Sequence, residues 1–134
     1  MLKKSLVAVG LIAFALGGAV YAQNPPVSPS PVKRTMVGKA EVPGSNYEAV
    51  TAIVEIAPGF KAGRHFHPGV VYGQVLEGEF WIAIDGQPEK TPKAGESIDL
   101  PMKVVHNEGA GPSGVKLVAT YVVEKGQPLV NPVK

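Results

Sequence analysis

The chain has 134 residues, with 13 Lys and Arg against 11 Asp and Glu, a formal net charge of +2 and no cysteine. This near balance provides no basic face for a phosphate backbone and no acidic tail, so no nucleic-acid partner is expected. The lack of cysteine excludes a disulfide framework, and a single domain of this length must stand on its apolar core.

At the N-terminus Lys3 and Lys4 precede an apolar run from Leu6 to Val20, and Val20 and Ala22 occupy the small-residue positions of a signal-peptidase site. Residues 1–22 therefore read as a secretory signal cleaved after Ala22. The expected product is a secreted, periplasmic protein with no membrane contact after cleavage. The run is too short and Gly-rich for a comfortable span of ~20 apolar residues. Its removal takes away Lys3 and Lys4 and leaves a formally neutral chain. Residues 23–31, QNPPVSPSP, are Pro/Ser-rich without an apolar period and read as an extended, mobile leader. The folded domain is expected over residues 32–128, with residues 129–134 as a C-terminal tail.

Within the domain, short β-branched or aromatic runs alternate with Gly, Pro and Asn-Glu-Gly punctuation. EAVTAIVEI, VVYGQVL, EFWIAI, ESIDL, KVVH and VKLVATYVVE read as strands at the spacing of a sandwich or barrel. In the first, Val50, Ala52, Val54 and Ile56 share one face, the period of two that buries one side of a strand. In FWIAI both faces are apolar, so one is free to meet a second sheet or a second subunit. Asp85-Gly86 is a tight-turn signal that ends this strand. No helical period persists over three turns after residue 22.

All three histidines of the chain, His65, His67 and His106, enter one candidate site. His65 and His67 are separated by one residue, so in a strand they point to the same face about 6 to 7 Å apart. Such a pair can share one ion. His106 follows ESIDLPMKVV, a strand, turn and strand able to bring it alongside. Glu77 and Glu79, flanking Gly78, read as turn charges, and Arg64 as solvent-facing.

These residues resemble the two motifs of the cupin family. Gly59, His65, His67 and Gly78 fall in register with the first, and Gly95, Pro101 and His106 with the second, over roughly residues 48 to 123. The resemblance implies an all-β double-stranded β-helix, or jelly-roll barrel, of six to eight strands. It also implies one divalent transition metal (Fe, Mn, Zn, Ni or Cu) held by His65, His67 and His106. The chain departs from the pattern where the family's glutamate ligand would stand, because Val71 or, at the longer spacing, Tyr72 occupies that place. Lys103 replaces the usual glycine of the second motif and Ala110 the usual asparagine. Lys103 thus puts the tight turn in question and could bring a cation near the pocket mouth.

Three neutral imidazoles without that glutamate leave the ion's charge uncompensated and favour an anionic exogenous ligand. Val71, Gly73 and Val75 are expected to face the ion, with Met102 and Val104 approaching from the second motif and Tyr72, Gln74 and Tyr121 as polar contributors. No protein general base is evident in such a pocket. The resemblance to three-histidine cupin dioxygenases implies a small-molecule oxidoreductase. A non-catalytic periplasmic protein that holds a metal or small ligand is the alternative. The second apolar face of FWIAI, with the habit of small cupins, points to a homodimer.

Overall fold

The computed structural model describes residues 28–134. The secretory segment expected over residues 1–22, and residues 23–27 of the leader, lie outside the described residues. Seven strands form one curled sheet: β1 (Val32–Glu41), β2 (Tyr47–Ile56), β3 (His65–Phe66), β4 (Val70–Ile84), β5 (Ser97–Leu100), β6 (His106–Glu124) and β7 (Asn131–Pro132). Every pairing is antiparallel, and among the described residues there is no helix. The all-β jelly-roll expectation is met.

Strand β6 organises the sheet. Its second half pairs with β2 along one edge, Ile56 opposite Val115 through Tyr47 opposite Glu124. Along the other edge Val70 to Gly78 of β4 pair with Val122 to Val115. Its first half pairs with Phe80 to Ile84 of β4 and, through His106, with His65 of β3. The alternation then decides what is inside. Val50, Ala52, Val54 and Ile56 of β2 are buried, as are Val115, Leu117, Ala119, Tyr121 and Val123 of β6. Burial of such a face, at roughly 25 cal/mol per Å² of apolar surface, is the main term holding a cysteine-free barrel together.

Where the expectation was two strands, VVYGQVL and EFWIAI, the chain forms the single strand β4, bent by bulges between Val75 and Phe80. Inward residues change parity across the bend: Val71 and Val75 before it, Phe80, Ile82 and Ile84 after it. Gly78 is the pivot, with φ of 87° and so little room that a Cβ there would lie 2.2 Å from the Gly114 carbonyl oxygen. The second apolar face of FWIAI is partly covered within the chain, because Trp81 lies against Gly109, where a Cβ would sit 2.6 Å from its ring.

Four segments depart from the expected layout. KVVH is not a strand: residues 101–105 form a turn and connection, and β6 begins at His106. Asn107, Glu108 and Gly109, read as punctuation, lie inside β6 because they pair with Ala83, Ile82 and Trp81. β1 gives no burial pattern, since all of it after Val32 is exposed and it is held by backbone pairing to β2. Part of the tail expected over residues 129–134 is tied into the sheet, with His65 opposite Pro132 and Phe66 opposite Asn131.

The tight turn questioned at Lys103 does form, with the lysine in the left-handed region at φ of 60°. Its N–H donates to the His67 carbonyl at 2.9 Å, tying the turn to the segment that carries His65 and His67. An L-residue pays about 1–2 kcal/mol for that backbone conformation, whereas glycine adopts it freely. Lys103→Gly should therefore raise stability by about 0.5–1 kcal/mol, read as a higher urea midpoint at unchanged slope. A lower midpoint would mean that the lysine side chain compensates its own strain.

Candidate metal centre

Sheet register builds the cluster. His65 and His106 are direct cross-strand partners, and directly opposed residues of an antiparallel pair project to the same face. His67 follows two residues after His65 and shares its direction. The three rings meet with centroid separations of 4.3 Å for His65 and His106, 5.0 Å for His67 and His106, and 5.1 Å for His65 and His67. All are buried, His106 completely.

Each ring is fixed by a backbone carbonyl. His65 Nδ1–H donates to Gly63 O at 2.8 Å, His67 Nδ1–H to Leu129 O at 2.6 Å and His106 Nδ1–H to Val104 O at 3.0 Å. A carbonyl can only accept, so in the neutral ring Nδ1 carries the proton and Nε2 presents a lone pair. The same Nδ1 anchoring is what orients imidazole ligands in metal proteins. The Leu129 contact gives the C-terminal segment a part in the site that a backbone carbonyl leaves invisible in sequence. Burial holds the His67 pKa down at about 4, opposed by its bond to Leu129 and reinforced by the neighbouring His106 and His65. Burial likewise lowers that of His106, against the opposing effects of the Val104 carbonyl and Glu108.

The donor set fits a metal. One ligand atom from each histidine lies within 4.8 Å of the other two. Two nitrogens bound to one ion at about 2.1 Å are at most about 4.2 Å apart, so the rings need close by only about 1 Å. The Nε2 atoms of His65 and His106 are buried with no hydrogen-bond partner. A buried unsatisfied acceptor costs about 1–3 kcal/mol, and a shared cation satisfies both.

A carboxylate absent from the sequence reading also enters the site. Glu108 Oε1 is 3.8 Å from His65 Nε2, and Glu108 Oε2 is 3.8 Å from His106 Nε2, with the side chain only 13% exposed. The expected absence of any anion or general base is thus corrected. The signal was present, since Glu108 stands two residues after His106 and shares its face once β6 is known to begin there. Glu77 and Glu79 stay at the bend, Glu77 3.5 Å from Lys116, and the exposed Arg64 pairs with Asp85.

Beside the trio is a cavity of about 30 Å³, lined mainly by apolar side chains including Val71, Leu100 and Leu117, with His67, Glu108 and Tyr121 as its polar or aromatic members. Val71 and Gly73 line it, whereas Val75 is buried in the core. Tyr72 and Gln74 do not line it: they take the opposite face of β4, Tyr72 is 60% exposed and donates to Ser97 Oγ, and Gln74 Nε2 donates to Gly95 O. The alternation that turns Val71 inward turns them out. Met102 is exposed and lines a separate surface groove with Lys103 and Tyr47, so neither it nor the lysine contributes to this cavity. Val104 packs partly buried against the core and serves the site through its carbonyl. Tyr121 stacks edge-on to His67 at 5.3 Å, and burial raises its pKa despite the nearby Arg34.

The family model described as "Cupin domain" matches residues 52–127. The chain belongs to the cupin family. Among solved structures this cupin resembles an RmlC-like cupin from Shewanella frigidimarina NCIMB 400, at 28% identity over 72% of this chain and 79% of the other, TM-score 0.59. It also resembles an uncharacterized conserved protein with a double-stranded β-helix domain from Klebsiella pneumoniae, at 21% identity, 80% and 89% coverage and TM-score 0.61. The DMSP lyase DddQ from Ruegeria pomeroyi DSS-3 shares the fold at 16% identity and TM-score 0.59, over 66% of this cupin and 44% of the lyase. This chain therefore spans under half of that enzyme's length. No curated protein matches the chain.

Proposed function

We propose that this cupin holds one divalent transition metal on His65, His67 and His106 and acts on a small molecule as an oxidoreductase of the dioxygenase type, in the periplasm. The observation that carries this reading is the pair of buried, unpartnered Nε2 atoms on rings whose opposite nitrogens are locked to carbonyls. Periplasmic placement is supported by the Lys3-Lys4, apolar run and Ala22 pattern. Exposed Met36 and Val37 on β1 support pairing of two copies.

A bound ion would supply Lewis acidity and, if redox-active, electrons for dioxygen. The protein supplies the rest. Gly63, Val104 and Leu129 orient the imidazoles through their carbonyls. Val71, Leu100, Leu117 and Ala119 give the cavity an apolar wall, and Glu108 is its carboxylate. Cavity size limits the ligand: about 30 Å³ accommodates two or three heavy atoms, far below the ~300–1,000 Å³ of sites for drug-sized ligands. Three-histidine cupin dioxygenases act on thiols, diketones and dihydroxyaromatic acids; of this panel, the reacting group of a short thiol fits this space and an aromatic ring does not.

Oxygen uptake by protein loaded anaerobically with iron tests the proposal. Uptake with short thiols and none with phenolic acids is expected. No uptake with any member of the panel would contradict catalysis and leave the second reading, a non-catalytic metal holder, which the small cavity also favours.

A further inference from the structure

We infer that Glu108 is the anionic fourth ligand of the centre, delivered from β6 beside His106 rather than from β4, where Val71 stands. The inference rests on the metal-binding reading above and extends its ligand set. The two Glu108 oxygens divide between the two orphaned nitrogens, Oε1 toward His65 and Oε2 toward His106, each at 3.8 Å. That distance is too long for a hydrogen bond. With the ring protons held on Nδ1, each contact sets a carboxylate lone pair against an imidazole lone pair. Acceptors that face one another in a buried site repel, and a cation among them turns every one of these contacts favourable. Toward His65 and His106 the spacing suits one, since 3.8 Å is below the ~4.2 Å limit for two atoms sharing an ion at about 2.1 Å.

The position also has a structural reason. Glu108 is held in β6 by pairing with Ile82, and its own N–H donates to Asn107 Oδ1 at 2.9 Å. Gly109 beside it admits Trp81 where any side chain would collide. β6 therefore presents His106 and Glu108 on one face as a ligand pair two residues apart. The consequence for selectivity is specific. With the acid on β6, the Val71 side of the centre is left apolar and faces the cavity, so an exogenous ligand enters a corner lined by Val71 and Leu100.

Cobalt(II) and zinc(II) titrations of the full-length wild type, Glu108→Gln, Glu108→Asp and the double variant Glu108→Gln/Val71→Glu test this assignment. Wild type should bind one equivalent. Glu108→Gln should bind at least about 10-fold more weakly and show an altered cobalt visible spectrum. Glu108→Asp should fall between, and Val71→Glu should restore part of the lost affinity by returning an acid from β4. Equal affinity and an identical cobalt spectrum in wild type and Glu108→Gln would overturn the role of Glu108 while leaving the three-histidine centre intact. No binding by wild type would overturn both. If Glu108→Gln does not fold, Glu108→Asp with wild-type affinity and spectrum overturns the assignment in its place.

Discussion

His106→Ala is expected to lose metal affinity by more than about 100-fold while the barrel persists. Loss of a single outer contact to a metal ligand costs about 10–100-fold, and removal of a ligand itself costs more. His106 is the severest case of the three because it joins the elements of the site: it opposes His65 across the sheet and Ile84 on β4, and it brings Glu108 with it. The metal-free fold should be weakened only by about 1–3 kcal/mol, the ordinary cost of vacating a buried side chain. Its Nε2 has no partner to lose, and only the bond to the Val104 carbonyl is forfeited. Competition with a chelator measures the affinity and a urea titration the fold. Retention of wild-type affinity in this variant would mean that the ion sits elsewhere.

Acid should destabilise the metal-free protein well before its carboxylates titrate. The folded state resists protonation of His67 down to about pH 4, whereas the unfolded chain takes up that proton near 6.5. Between those values the unfolded state binds more protons, so stability rises with pH. It is greatest above about pH 6.5, falls as the pH drops, and levels near 4 once the folded ring also charges. A separation of some 2.5 units corresponds to about 3 kcal/mol for His67, and the lowered pKa of His106 acts in the same direction. Urea midpoints of metal-free protein at half-unit steps from pH 7.5 to 4 measure it. A flat profile over that range would show that His67 and His106 are not held neutral by burial.

Much of this was legible in the chain. Period-two burial in β2 and the single-residue spacing of His65 and His67 follow from strand geometry alone, and sequence order suggested His106 as their partner. What escaped notice has common physical causes. Glu108 lies in a stretch, Asn107 to Gly109, of weak strand formers, and tertiary pairing with β4 overrides that propensity. β1 has no buried face to produce a pattern, and the Leu129 contact is made by a backbone atom that carries no residue signature. Tyr72 and Gln74 were readable, since Val71 and Gly73 could not face inward without turning them outward.

Glu108 also changes the electrostatic argument. With three imidazoles alone, the ion would keep its full charge; one carboxylate reduces it and lessens the pull on an anionic ligand. The apolar cavity beside Val71 then selects by size as much as by charge.

Elemental analysis of wild-type protein purified from its native compartment, with His106→Ala alongside, tests the central claim most directly. Close to one equivalent of a transition metal in the wild type, largely lost in the variant, is the predicted result; less than about a tenth of an equivalent of any transition metal in the wild type would contradict it.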